Sequence, residues 1–475
     1  MRHTQGAVLA LVGTLSGIPI ALALQRLFIA FGPQFWRGAP QVPFDWSMAA
    51  VAGGLAIANT VLFSVAPITE RAGESMATLL RNAAQQGTAS PARVRLRTAL
   101  MLFEVGMAMV LLVGAGLMLR SLDALHKVEL GFDPHQVTTL PISLPLGRYP
   151  GPEQTVRFFE DLRERASALP GVTAAGIVRM LPLATTIGDR GLDIEGYDES
   201  TRPGAKGDWQ VATPGAFDVM RTKLIRGRWF TDDDRASTAG VAVINETLAK
   251  TYWPSLDAAM RGRIRVGSQN EPWVSVVGIV ADERHNGLTT PVKEKFFIPL
   301  AQWHVVTSAR AIRNAFLVVR TAGDVDSLAE PLSRLVNGLD PELAVSRART
   351  MDDVVDASVA GSRLTGLLLT AFALIALTLA GVGLYGIVAY SVSRRTREIG
   401  TRLALGSERA AILQLVMRQA VGLAIGGVVW GGLTALVAGR VLGSVLYQVR
   451  PTDPVTFVTV SLIVISVAVV ASLIP

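Results

Sequence analysis

Six stretches of about 20 residues carry almost no charge, and they gather near the two ends of the chain, at roughly 7–30, 46–66, 98–121, 364–391, 419–439 and 454–474. A helix needs about 20 apolar residues to cross a hydrocarbon core of about 30 Å, and inside that core it satisfies its own backbone amides. The stretches therefore predict an α-helical transmembrane bundle of about six spans. Between the third and fourth, residues 122–360 carry the charges, prolines and turn residues of an ordinary soluble domain. The uneven distribution explains how a chain that is 50% hydrophobic and 17% charged can hold so large a polar part.

The charges next to the apolar runs set the orientation. Segment 67–97 carries Arg71, Arg81, Arg93, Arg95 and Arg97, and segment 392–418 carries Arg394, Arg395, Arg397, Arg402, Arg409 and Arg418. Segment 31–45 offers only Arg37, and 440–453 only Arg440 and Arg450. Basic loops stay in the cytoplasm. Both termini and both basic loops are thus expected in the cytoplasm, with 122–360 on the outer side of the membrane. The net charge of +7 follows from this placement, so it is no argument for nucleic-acid binding. Met1–Gln25, with Arg2 and the triplet Ala21-Leu22-Ala23, also has the look of a cleaved signal peptide. The apolar run continues through Leu27, Phe28, Ile29 and Phe31, which favours an uncleaved span.

Within the spans, Arg26 and Arg120 sit where they can snorkel. Glu104, near the start of the third, reads as a carboxylate close to the interface or bonded to a neighbouring helix. Gly381, Gly383 and Gly386, and Gly422, Gly426, Gly427, Gly431 and Gly432, are small residues of the kind that let helices approach closely, within the chain or against a second copy.

The outer segment alternates between strand-like and helix-like patterns. Gln136–Pro145 reads as a strand, Glu153–Leu169 as a helix with Val156, Phe159, Leu162, Ala166 and Leu169 on one face, and Gly171–Met180 as a strand. The pattern returns as strand Ala315–Arg320, helix Val325–Leu339 and strand Leu343–Arg347. Pro331 is compatible only with the first turn of that helix. Two such units predict a split βαβ, ferredoxin-like module. Between them, about 186–300 reads as a mostly β insert with strands such as Val241–Ile244 and Trp273–Val280. The expected fold class is a membrane bundle with an inserted α+β periplasmic domain. Met118–Leu130 and Met351–Leu364 read as helical extensions of the third and fourth spans.

No chemistry stands out. The 475 residues contain no G-x-x-x-x-G-K-[ST], no G-x-S-x-G and no H-E-x-x-H. With no cysteine, disulfides and thiolate catalysis are excluded. Asp282-Glu283-Arg284-His285 reads as a solvated turn in preference to a metal site, and Asp232-Asp233-Asp234 as a charged turn or a helix start in preference to a calcium site. No cofactor and no catalytic residue are expected.

Several stretches carry a resemblance. Ser393-Arg394-Arg395-Thr396-Arg397-Glu398-Ile399-Gly400-Thr401-Arg402-Leu403-Ala404-Leu405-Gly406 resembles the R-x-x-E-I-G-x-R-x-A-L-G segment that follows a span in FtsX-like permeases. Glu104–Ser121 with Leu130-Gly131-Phe132-Asp133 resembles the opening of a MacB-type unit. So do Arg226-Gly227-Arg228-Trp229-Phe230, Val243-Ile244-Asn245-Glu246 and Val277-Gly278-Ile279-Val280, and Pro451-Thr452-Asp453-Pro454 resembles the stretch before the last span.

The resemblance implies an ABC-transporter permease of MacB/FtsX type, similar above all to the acidobacterial duplicated orphan permeases. It implies two spans from a preceding unit at 1–66, a cytoplasmic linker at 67–97, and a span at 98–121. The MacB-like periplasmic core domain is then 122–360, and the FtsX-like domain with three spans is 361–475. Relative to the duplicated pattern, the first unit's opening span and outer domain are missing and the short basic tail is absent after Pro475, which reads as a partial chain. In the family a separate ABC ATPase docks on the cytoplasmic face. That role would fall here on segment 392–410, through Arg394, Arg395, Arg397, Glu398, Ile399, Gly400, Arg402, Leu403 and Gly406. Further expected partners are the lipid bilayer and either a second permease copy or a periplasmic partner. The rival readings are a receptor whose outer domain binds a ligand such as an antimicrobial peptide, and a non-functional fragment.

Overall fold

In the computed structural model, residues 91–473 are described, apart from 199–202, 395, 397–399, 402–403, 406–408 and 444–445. The two expected spans at 7–30 and 46–66 lie outside the described residues. Two compact units divide the chain: Met118–Thr365 with Val445–Val449 forms one, and the flanking segments form the other.

Four helices among the described residues are long and apolar enough to cross a membrane: α1 (Pro91–His126), α8 (Met351–Arg394), α9 (Arg409–Leu442) and α10 (Pro454–Leu473). Their starts are written locally. Thr350 and Asp353 cap α8 reciprocally, with Asp353 N donating to Thr350 Oγ1 at 3.0 Å and Thr350 N donating to Asp353 Oδ2 at 3.2 Å. Asp453 caps α10 by accepting from Thr456 N at 2.9 Å, and Pro454 at the first helical position has no amide to leave unpaired. The Pro451–Pro454 stretch is therefore a helix-start signal.

In the membrane-type unit the glycines divide into two sets. A Cβ on Gly431 would lie 2.6 Å from Gly106 O, one on Gly427 2.5 Å from Val105 Cγ1, and one on Gly106 2.1 Å from the Trp430 ring, so α1 and α9 meet backbone to backbone. Gly383 faces Met101 and Glu104 of α1, and Gly381 faces Val467 of α10. These glycines pack within the chain, whereas Gly386, Gly422 and Gly432 have no described atom within 4 Å of an added Cβ.

The other unit is built on one eleven-stranded sheet. The elements, in chain order, are β1 (Val137–Ser143), α2 (Pro152–Ser167), β2 (Val172–Val178), β3 (Asp189–Ile194), β4 (Lys206–Ala212), α3 (Ala216–Met220), β5 (Leu224–Gly227) and β6 (Val241–Asn245). Then come α4 (Glu246–Tyr252), α5 (Leu256–Met260), β7 (Arg263–Val266), β8 (Val274–Val280), β9 (Lys295–Pro299), α6 (Trp303–Thr307), β10 (Asn314–Thr321), α7 (Ala329–Leu339) and β11 (Arg349–Thr350). At one end the order is β11-β1-β10-β2, all antiparallel, with α2 joining β1 to β2 and α7 joining β10 to β11. Phe159 and Leu162 of α2 and Leu332 and Val336 of α7 are buried in one core with Leu140, Ile177 and Leu317 of the strands. The 3.6-residue spacing of those side chains is what forms the helices' apolar faces.

The insert closes on itself. β4 pairs with β3, β3 with β7, β7 with β8, β8 with β6, β6 with β9, and β9 back with β4. The ring leaves no free edge among its six strands. β5 adds to β8 from outside, and Val178↔Ala212 is the register pair that links the ring to β2.

Two local readings need correction. Leu343–Arg347 is not a strand, and the last strand is the short β11. Asp340 is the reason: its carboxylate accepts from Glu342 N at 3.1 Å and its carbonyl from Leu343 N at 3.1 Å, so the first amides go to a turn. The extension Met118–Leu130 is helical only to His126. Helix α7 begins at Ala329 after a 3₁₀ turn (Asp326–Leu328), which puts Pro331 in its first turn.

Candidate functional site

Segment 392–410, the expected docking site, is only partly placed. Arg395, Arg397, Glu398, Ile399, Arg402, Leu403 and Gly406 lie outside the described residues. Arg394 ends α8, and Gly400 is helical and exposed. Leu405 is 86% exposed, a high value for a leucine. Beside this segment Ser391 Oγ donates to Gln419 Oε1 at 3.3 Å, and the Arg97 guanidinium lies 4.8 Å from the centre of the Tyr390 ring.

The outer unit holds a second polar constellation, which the sequence had not singled out as a site. It is centred on 282–288, the loop that follows β8. Here the reading of Asp282–His285 as a solvated turn is overturned: Glu283 and His285 are buried, together with Lys295 of β9. The Lys295 ammonium pairs with the Glu283 carboxylate and lies 3.0 Å from His285 Nδ1. Burial alone would push Glu283 up, but Lys295 and His285 outweigh it and hold the carboxyl at about 2. Burial, then Lys295, pushes His285 down to about 4. The imidazole is therefore neutral at neutral pH.

Asp282 accepts from Asn245 Nδ2 at 2.7 Å, from Thr247 N at 3.0 Å and from Thr247 Oγ1 at 2.6 Å. Asn245, the last residue of β6, also caps α4 through Leu248 N at 3.0 Å and accepts from Lys295 N at 2.8 Å. Asn286 Oδ1 accepts from Ile187 N at 2.7 Å while its Nδ2 donates to the buried Asp208 of β4 at 2.5 Å. Burial, then the neighbouring Asp189 carboxyl, pushes Asp208 up to about 6. Asp189 itself is held at about 2, first by Lys206 and also by Lys293.

Next to this constellation the Arg179 guanidinium lies 3.3 Å from the Trp209 ring centre, and Trp209 stacks on Trp303 at 4.4 Å. Among the described residues no group of three or more His, Asp or Glu side chains is arranged to hold a metal ion. Of the two readings left open for Asp232–Asp234 the structure has the turn, in which both Asp234 oxygens accept from the Arg228 guanidinium at 2.7 and 2.8 Å.

The motifs that carry the resemblance turn out to be joints of this unit. Gly131 has φ +79°, and a Cβ there would lie 2.1 Å from Asp282 O. Asp133 accepts from Arg221 at 2.9 Å, and the buried Arg320 guanidinium donates to the carbonyls of Asp133, His135 and Val219, each at 2.7 Å. Gly278 passes under Arg228, where a Cβ would lie 2.4 Å from the Arg228 carbonyl oxygen.

The MacB-like periplasmic core domain family matches residues 46–335, and the FtsX-like permease C-terminal family matches 370–475. Among curated relatives, the macrolide export ATP-binding/permease protein MacB of Azoarcus sp. (strain BH72) is 29% identical over 224 residues, covering 46% of this chain and 33% of that protein. The uncharacterized ABC transporter permease YknZ of Bacillus subtilis (strain 168) is 26% identical over 220 residues, 46% of this chain and 54% of that one. The chain thus spans between a third and about half of these relatives' length. Among solved structures, the periplasmic region of MacB from Actinobacillus actinomycetemcomitans aligns with 48% of this chain and 94% of its own, at TM-score 0.34 and 14% identity. The extracellular domain of YknZ aligns with 44% of this chain and all of its own, at TM-score 0.30 and 16% identity.

Proposed function

Because the chain belongs to the family of MacB- and FtsX-like ABC permeases, we propose that it passes the ATP-driven motion of a separate ATPase to its outer unit, for export or extrusion. The observation that carries this reading is the length of two unbroken helices. Helix α1 has 36 residues and α8 has 44, about 54 and 66 Å at 1.5 Å per residue, well beyond a core of about 30 Å. Each includes residues of both compact units, 91–126 and 351–394, without a break in the helix. A displacement applied at one end of such a helix reaches the other end with little slack.

In this reading segment 392–410 is the cytoplasmic dock. Arg394, Arg395, Arg397 and Arg402 face acidic groups of the ATPase, while Ile399, Leu403 and the exposed Leu405 supply apolar contact. The first spans at 1–66 belong to a preceding unit, as in the duplicated permeases, and 122–360 lies in the periplasm of an inner-membrane protein. No catalytic residue is needed in this chain, since nucleotide hydrolysis belongs to the ATPase.

The test is co-purification of the protein in lipid nanodiscs with an ABC ATPase from the same cells. Wild type should retain the ATPase, and Arg397→Glu with Arg402→Glu should weaken the complex by about tenfold or more, as loss of interfacial charge pairs does. A correctly inserted wild type that brings down no ATPase would sink the reading and favour the receptor alternative.

A further inference from the structure

Segment 282–288 has two faces, and each is bonded to something different. On one side Leu288 is buried with Leu122 and Leu125 at the outer end of α1 and with Val359 of α8. Arg284 N donates to Leu130 O at 2.8 Å, and Gly131 lies so close to Asp282 that only glycine fits. The other side is bonded to three strands of the closed ring. Asn286 reaches Asp208 of β4, Asp282 reaches Asn245 of β6, and Glu283 and His285 reach Lys295 of β9. The same residues also hold the loop before β3, with Leu183 N donating to His285 O at 2.8 Å and Ile187 N to Asn286 Oδ1 at 2.7 Å.

This is an expensive way to build a loop. A buried ion pair loses much of its attraction to desolvation, and an apolar pair of similar volume is often as stable. Hydrogen bonds and ion pairs do fix direction and register, which apolar contacts between a loop and a sheet do not. A buried polar network is best explained here by what it positions.

We propose that segment 282–288 is the joint that fixes the outer ends of α1 and α8 to the closed ring, with Asn286 and Leu288 as its positioning residues on the ring side and the helix side. Its part in transmission rests on the function proposed above, whereas the attachment itself is measured without any ATPase. When the helix ends shift, the ring follows as one body because the joint meets the ring through directional hydrogen bonds and an ion pair, while Leu288 anchors it in the apolar cluster at the helix ends.

The absence of cysteine from the sequence makes the test clean. Spin labels at Asp123→Cys, exposed near the end of α1, and Gln269→Cys, exposed between β7 and β8, report the distance from helix end to ring in the full chain in nanodiscs. Wild type should give one narrow distance distribution. Asn286→Ala and Leu288→Ala should each widen it at least about twofold, or add a second population. Leu288→Met, which conserves volume, should restore the narrow one. Leu332→Ala, in the fully buried core of α7, is the control for a general loss of stability and should leave the distribution narrow. The proposal is overturned if Asn286→Ala and Leu288→Ala stay as narrow as wild type, or if Leu332→Ala widens the distribution equally. A missing ATPase in the co-purification would sink the transmission reading and leave these distances to decide the joint.

Discussion

Asp208 and His285 share one polar network and titrate with opposite sign. The Asp208 carboxyl is pushed up to about 6 by burial and then by Asp189. From its ordinary value of about 4 up to 6, the folded chain therefore keeps a proton that the unfolded chain has released, and stability falls as pH rises through that window. His285 is pushed down to about 4 by burial and then by Lys295. Between about 4 and 6.5 the unfolded chain binds a proton that the folded chain refuses, so its contribution is lost as pH falls. In wild type the two slopes offset each other. Asp208→Asn should therefore make the melting temperature of the outer unit climb several degrees more than wild type between about pH 4.5 and 6.5, and His285→Gln should make it fall over the same range. Thermal melts followed by tryptophan fluorescence, with Trp209 close by, would check this. Three parallel pH profiles would refute the assignment. The sequence hid this network because Asp282–His285 is a run of charge, and only strand pairing brings Lys295 and Asp208 to it. By contrast Asp232–Asp234 was readable, since its partner Arg228 is six residues from Asp234 and the turn is local.

Helices and strands with a strong local period were legible, and the way they join was not. The helices at 152–167 and 329–339 and the strands β1, β2 and β10 follow from spacing and branched side chains, whereas the two-residue β11 does not. Closure of the ring depends on β4 pairing in parallel with β9, from Asp208↔Lys295 to Ala212↔Pro299, and no local signal records a pairing across so long a gap. The glycines of the membrane-type unit show the same divide. Their composition announced close helix packing, but which ones lie at a crossing is a matter of rotation about the helix axis. That rotation yields a prediction for neighbours in sequence. Gly431→Ala sets a Cβ 2.6 Å from a backbone oxygen of α1, which cannot rotate away, and should cost about 1–3 kcal/mol of unfolding free energy. Gly432→Ala meets no described atom within 4 Å and should change stability by less than about 0.5 kcal/mol, or raise it slightly through helix propensity. Unfolding of the two variants in detergent would separate them, and equal losses would mean that α1 and α9 do not cross at Gly106.

At the scale of the whole molecule, the proposed transmission depends on stiffness, and stiffness can be removed without touching either end of the helix. Gly361 already sits in α8 with no described atom within 4 Å of an added Cβ, and Ser362, Arg363 and Leu364 beside it are exposed or half-buried. Replacing these three by glycine keeps chain length and helical register while creating four consecutive glycines. Each glycine costs about 1 kcal/mol of helix stability, so this turn should become the weakest point of α8. Few packing contacts are lost, and the outer unit should melt within a few degrees of wild type. Segment 392–410 is far along the chain from the change, so an ATPase that docks there should still bind with unchanged affinity. ATP-dependent movement of the outer unit, read from a label on the ring against one on α9 (Arg409–Leu442), should shrink severalfold while ATP turnover continues. Uncoupling of that kind is what a slackened rod produces. If movement persisted at wild-type amplitude with α8 softened, α1 alone would have to carry the displacement, and the same substitution strategy applied to α1 would then have to abolish it. If neither softened helix changed the amplitude, the motion would not travel along these helices, and mechanical transmission would be the wrong account of this permease.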